Sequence, residues 1–321
     1  MNVSTFDLFK IGIGPSSSHT VWPMIAACRF ATRMLKAQTL GKVHAIRTDL
    51  YGSLGATGKG HGTDKAVLLG LEGNLPDTID PDYVDSRLAH IRATKSIDVA
   101  GVHQIAFEEK SQIVFLRRKV LPFHSNGMRF TAFDEDGKVL DEQAYYSVGG
   151  GFVVDDAGKR LNGQEGATPV PYPFKTGVDL LRMCGEGGLS IAQLMVANET
   201  AWRTPEAVRQ GLLKIRDVMS AAIARGCVME GLLPGPMKVK RRAAELFQQL
   251  KAQSEESLRD PLSMIDWINL YAMAVNEENA TCRGFPPNSA SGSWVAPSTS
   301  ITRFCLGSKA QNPITRHMRA A

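Results

Sequence analysis

Three short clusters each set a histidine or an asparagine among small hydroxyl residues and glycines. They are Gly14-Pro15-Ser16-Ser17-Ser18-His19-Thr20, Gly60-His61-Gly62-Thr63-Asp64 and His124-Ser125-Asn126-Gly127-Met128. Hydroxyls and amides at helix N-termini suit a carboxylate, and imidazole exchanges protons near neutral pH. Singly, each cluster has a structural use: a serine run caps a helix, a histidine in a glycine loop bonds locally, and Ser-Asn-Gly makes a turn. Together they describe a site for a small polar anion with a proton-transfer group beside it.

A fourth glycine-rich stretch, Gly52 to Gly60, invites comparison with a phosphate-binding loop and fails it. The nucleotide pattern needs Gly-x4-Gly-Lys-Ser/Thr, but Ser53 stands where the first glycine belongs and Gly60 follows Lys59. The five cysteines, Cys28, Cys184, Cys227, Cys282 and Cys305, contain no CxxC pair, so no zinc or cluster signature is present. An odd, sparse set also argues against a secreted disulfide framework.

The elements that position these clusters are legible from periodicity. Met24, Ala27, Cys28, Ala31, Met34 and Leu35 form an apolar stripe at helical spacing, which places Ser16 to Thr20 just before a helix. Ile46, Thr48 and Leu50 alternate with Arg47, Asp49 and Tyr51 as a strand that runs into the glycines of 52–62, read as a loop. A short helix begins near Thr63-Asp64 and ends at Gly70 or Gly73. Residues 113–116 read as a buried strand, 129–133 and 138–140 as a hairpin turning at Asp134-Glu135-Asp136-Gly137, and 145–154 as a further strand. Beyond a polar stretch rich in Gly and Pro at 155–173 the pattern turns helical. Thr204 suits a cap, Pro205 the first helical position, and Val208, Leu212, Ile215, Met219 and Ala222 one buried face.

The expected organisation is an α+β domain over 1–155, a linker over 156–173, a helical region over 174–280 and a tail over 281–321. With 43% hydrophobic residues in 321, the chain can bury real cores. Its net charge of +5 belongs to the tail, where Arg283, Arg303, Lys309, Arg316 and Arg319 stand without any Asp or Glu. A nucleic-acid binder would spread such charge over a folded face, so no nucleic-acid partner is expected. No apolar run approaches the roughly 20 residues of a membrane helix, and the N-terminus lacks a signal core, so the expectation is a soluble, cytoplasmic protein with no membrane partner.

The stretches GIGPSSSHT (12–20), LYGSLGATGKGHGTD (50–64), HSNGM (124–128), YYSVGGGF (145–152) and INLYAMAVNEENA (268–280) closely resemble the single-chain bacterial iron–sulfur L-serine dehydratases. The resemblance runs almost continuously from Phe6 to Ala280, with Trp22 where the family usually has Gly. It implies conversion of L-serine to pyruvate and ammonia without pyridoxal phosphate. In that family one iron of a 4Fe-4S cluster acts as a Lewis acid on the serine hydroxyl while a base removes the α-proton. By the same resemblance His61 and His19 are the catalytic histidines, with His61 the candidate base because its glycine-flanked loop is read as mobile. Ser16, Ser17, Ser18, Thr63, Ser125 and Asn126 would hold the substrate's carboxylate and amine. His44, His90, His103 and His317 match no motif and are assigned surface or structural roles.

L-Serine is thus the implied small-molecule partner, and a homodimer is allowed. No metal-ligand residue is assigned, because none of the five cysteines lies in a motif matching a family ligand. After NEENA the family continues with a glycine-rich stretch and cluster cysteines, whereas this chain reads TCRGFPPNSASGSW. The expectation is a C-terminally truncated or frameshifted, inactive enzyme, with a non-catalytic serine-binding or interaction protein as the alternative. Iron content separates the two.

Overall fold

The computed structural model describes residues 4–9, 11–14, 16–148, 152–159, 168–233, 237–252 and 263–281. The tail beyond 281, with Cys282 and Cys305, and residues 160–167 of the expected linker lie outside these residues.

A short helix α1 (Thr5–Leu8) leads to the long α2 (Val21–Lys36), then β1 (Ala45–Tyr51), α3 (Gly52–His61), α4 (Thr63–Leu71) and α5 (Pro81–Thr94). A hairpin of β2 (Ser96–Val99) and β3 (His103–Ala106) precedes α6 (Glu109–Gln112) and β4 (Ile113–Leu116). The strands β5 (Gly127–Phe133), β6 (Val139–Val148) and β7 (Phe152–Asp155) complete a five-stranded mixed sheet of order β4-β1-β5-β6-β7. Only β1 and β4 pair in parallel. The expected strand over 145–154 is thus the end of β6 and the start of β7.

Period-two alternation decides which face of this sheet is covered. Ile46 and Leu50 of β1, Met128 and Phe130 of β5 and Tyr145 of β6 point into one core with Trp22, Met24 and Phe30 of α2 and Val67 to Leu69 of α4. The opposite face carries a smaller cluster of Tyr51, Leu121, Ala144, Tyr146 and Val154. An α+β region therefore comes first, as expected.

The remainder is helical: α7 (Gly177–Gly187), α8 (Ile191–Glu199), α9 (Pro205–Gly226), α10 (Ala243–Lys251) and α11 (Ser263–Ala280). The N-caps are chemical, since Thr176 and Ser190 form reciprocal capping boxes with Asp179 and Gln193, and Thr204 accepts from the Ala207 amide ahead of Pro205. Met219 and Ile223 of α9, Leu250 of α10 and Trp267, Leu270 and Ala274 of α11 share a core. The glutamates of the NEENA motif lock this layer. Glu277 accepts from the Arg242 and Ala243 amides at the start of α10, and Glu278 pairs with Arg241 at 2.5 Å and Arg225 at 2.7 Å. No helix among the described residues is long and apolar enough to cross a membrane.

The first residues do not stay with the α+β region. Glu199 accepts from Ser4 Oγ at 2.9 Å and from the Thr5 amide, and Arg203 lies 4.6 Å over the Phe6 ring while pairing with Glu199 at 3.0 Å. Phe6 packs with Val208 and Leu212, and Phe9 against the core of α9 to α11. On the far side of the polar stretch, Tyr172 and Asn198 exchange two hydrogen bonds of 2.8 Å, so residues at the end of the expected linker are pinned to α8.

Candidate active site

The glycine-rich stretch after β1 is the helix α3, not the loop its composition suggests. Its first residue, Gly52, has φ +51°, and a Cβ there would lie 2.2 Å from the Ser125 carbonyl oxygen. Glycine is therefore required for β1 to turn into α3 against the 124–128 segment. At the other end Gly62 adopts φ +79° as a left-handed cap and starts α4. His61 is thus the last residue of a helix, fixed by its fold position and not carried on a mobile loop.

α3 brings two of the three clusters together. The His19 and His61 rings stand 4.7 Å apart between centroids, tilted by 39°. His61 Nδ1 lies 2.9 Å from the Thr57 carbonyl oxygen, which can only accept, so Nδ1 carries the proton and the Nε2 lone pair of a neutral His61 is left for a substrate. Among the described residues no hydrogen bond reaches that Nε2.

His19 is differently employed. The Thr57 hydroxyl donates to the Ser53 carbonyl at 2.9 Å and so faces His19 Nε2, 2.8 Å away, as an acceptor. Nε2 therefore bears the proton and Nδ1 accepts from Ser18 Oγ at 2.8 Å, with Ser16 Oγ at 3.4 Å from the same nitrogen. Burial, then the neighbouring His61 charge, lowers the His19 pKa below its ordinary value of 6.5, against a smaller opposing effect of Ser53. A buried, uncharged imidazole bonded on both nitrogens orients its neighbours and has no vacant lone pair.

The other expected site residues divide. Ser16 and Ser18 bond each other at 3.1 Å beside His19. Thr63 is fully buried and donates to the His19 carbonyl at 2.6 Å, which makes it a brace of the turn. Ser17 closes the turn through its carbonyl, which accepts from the Trp22 amide. The third cluster joins through the backbone: the Ser53 amide donates to Ser125 O at 3.2 Å, and the Asn126 amide to His124 Nδ1 at 3.0 Å. Asn126 Oδ1 is buried without a partner. Thr57 and Ser53 are absent from the expected site residues, although the i, i+4 spacing of Thr57 to His61 and of Ser53 to Thr57 is the signal a helix at 52–61 would have supplied. His103 donates to the Val43 carbonyl at 2.8 Å, in keeping with a structural role.

The described cysteines do not fit an iron–sulfur cluster. Cys28 sits on α2, Cys184 on α7 and Cys227 after α9. Burial pushes the Cys28 thiol up, and burial and Glu277 push that of Cys227 up to about 11, whereas cluster ligation takes thiolates. Among the described residues, no three His, Cys, Asp or Glu side chains converge as a metal-ligand group.

Residues 4–158 match the serine dehydratase beta chain, and residues 186–294 the serine dehydratase alpha chain. An L-serine dehydratase of Streptomyces coelicolor is 51% identical over 284 residues, covering 87% of this chain and 61% of the relative. L-serine dehydratase 2 of Escherichia coli is 45% identical and an L-serine dehydratase of Haemophilus influenzae 42% identical, each over 281 residues. These alignments cover 87% of this chain and 60% and 61% of the relatives. The chain thus spans about three fifths of the length of the curated relatives it matches.

Proposed function

We propose a function from the premise that this chain belongs to the bacterial single-chain L-serine dehydratase family: it acts on L-serine to give pyruvate and ammonia. The observation that carries the reading is the histidine pair, in which His61 keeps a free Nε2 beside a His19 whose two nitrogens are both engaged. In this reading the α-proton of L-serine passes to His61 Nε2, whose Nδ1–H is anchored on the Thr57 carbonyl. The β-hydroxyl leaves as water, taking that proton back from His61, and the resulting aminoacrylate tautomerises to an imine and hydrolyses. Ser16 offers its hydroxyl to the substrate carboxylate, Ser18 spends its proton on His19 Nδ1 and so orients that ring, and Thr63 fixes the turn that presents them.

The family resemblance implies a 4Fe-4S cluster that polarises the leaving hydroxyl. The described cysteines do not form its ligand set, so no step is routed through them, and the imidazoles and hydroxyls alone carry the roles above. We also place the boundary of the α+β unit near residue 155.

L-Serine is expected to raise the melting temperature of the chain. Turnover of L-serine should release pyruvate and ammonia in equal amounts. His61→Ala should keep the thermal shift and lose about 10²- to 10⁴-fold in turnover. A chain that ignores L-serine is not this enzyme, and one that binds it without releasing pyruvate is a serine-binding protein.

A further inference from the structure

Two buried polar atoms near the site have no partner: Asn126 Oδ1 and Ser147 Oγ. Ser147 is only 1% exposed. A buried hydroxyl without a partner is costly, and such groups in a folded protein call for a reason. The two belong together. The Ser147 amide donates to the Asn126 carbonyl at 2.9 Å, continuing the Gly127↔Tyr146 and Met128↔Tyr145 register of β5 and β6. Residues directly opposite in an antiparallel pair share a face, about 5 Å apart at Cβ. By the two-residue alternation, that is the face on which Met128 and Tyr145 meet α2.

The position along that face follows from α2. Near its C-terminus Arg33 bonds Gln143 at 2.6 Å and Asp141 at 2.5 Å, at the beginning of β6. From Arg33 back to Val21 the helix covers about 18 Å. From residue 142 to Ser147 the strand covers about 17 Å. Laid along β6 from that anchor, α2 carries its start, and with it the Ser16 to Thr20 turn, towards the Ser147 end of the strand. The same end of the sheet holds Ser53, which bonds Ser125 through its amide and approaches His19 through its hydroxyl at 3.4 Å.

We propose that Ser147 is a substrate-contacting residue whose hydroxyl, together with Asn126 Oδ1, receives the ammonium group of L-serine. The inference rests on the L-serine reading above. An amide oxygen only accepts, so the absent partner must bring donors. A carboxylate brings none, whereas an ammonium group brings three. Of the carboxylate and amine contacts expected of the site, Asn126 thereby takes the amine.

Thermal-shift titrations of the chain and of Ser147→Ala with L-serine and with 3-hydroxypropanoate, which lacks the amine, test this. Ser147→Ala should bind L-serine about 10- to 100-fold more weakly, as expected for losing a hydrogen bond to a charged group. Its affinity for 3-hydroxypropanoate should be unchanged. Its ligand-free melting temperature should equal or exceed that of the parent, because an unpartnered buried hydroxyl is removed. Unchanged L-serine affinity, equal weakening of both ligands, or a ligand-free melting temperature lower by several degrees overturns the assignment. A parent chain that fails to bind L-serine takes down the substrate reading as well, which distinguishes the two failures.

Discussion

Two histidines of one site receive opposite duties from their hydrogen-bond partners. A carbonyl fixes the proton of His61 on Nδ1, while two hydroxyls occupy both nitrogens of His19. His19 is therefore suited to staying neutral. With its folded pKa held below 6.5, unfolding at lower pH takes up a proton. Its contribution to stability is whole above 6.5 and is lost as pH falls through the folded value. The melting temperature of the parent should drop between about pH 7 and pH 5 by more than that of His19→Gln. Parallel curves for the two proteins would show that His19 does not titrate in this window. Removing His61 removes one cause of the depression, so the His19 ring in His61→Ala should titrate at a higher pH, as its proton chemical shifts would report.

At the scale of elements, the glycines separate tight packing from mere composition. In α9, a Cβ on Gly226 would lie 2.5 Å from the Ala274 carbonyl oxygen of α11, so this residue serves helix approach as well as ending its helix. Gly60, in α3, has no atom within 4 Å of where its Cβ would be. Gly226→Ala should therefore destabilise by about 1–3 kcal/mol through overpacking. Gly60→Ala should stabilise by about 0.5–1 kcal/mol, because alanine loses less backbone entropy in a helix. Urea unfolding of both variants checks this. A destabilised Gly60→Ala would mean that 52–61 is not the helix described.

For the whole molecule, the N-terminal residues act as a strap. They dock on α8 and α9 through Glu199, and the Ser16 to Thr20 turn follows them in sequence, so the helical layer is tied to the site through the chain. Cleavage between Asp155 and Thr168, where the sequence is polar and rich in Gly and Pro, should give two fragments that still co-elute on gel filtration. Glu199→Ala leaves Arg203 and the Thr5 amide without their carboxylate, and the fragments of that variant should separate. The destabilisation should be about 3–5 kcal/mol, the cost of breaking a buried pair from one side. Fragments that dissociate in the parent would show that the strap does not hold the halves together.

The sequence by itself determined the α2 stripe, the alternation of β1, the hairpin at 134–137, the cap of α9 and the three clusters with their histidines. Each is a local signal, written in residues a few positions apart. The family was also legible there, because its motifs are contiguous. What only the tertiary structure decided was long-range. Composition made 52–61 a loop, since four glycines lower helix propensity. Packing made it a helix, because Gly52 must pass the Ser125 carbonyl and Thr57 must reach His19 across 38 residues of chain. Likewise the motif at 145–152 contains Ser147 without saying what it meets, and its meaning lies in facing Asn126 on the neighbouring strand. Nothing local marks Ser4, whose partner is 195 residues away. Local order follows from neighbours in sequence, whereas tautomers, unpartnered atoms and straps depend on which distant groups the fold brings into contact.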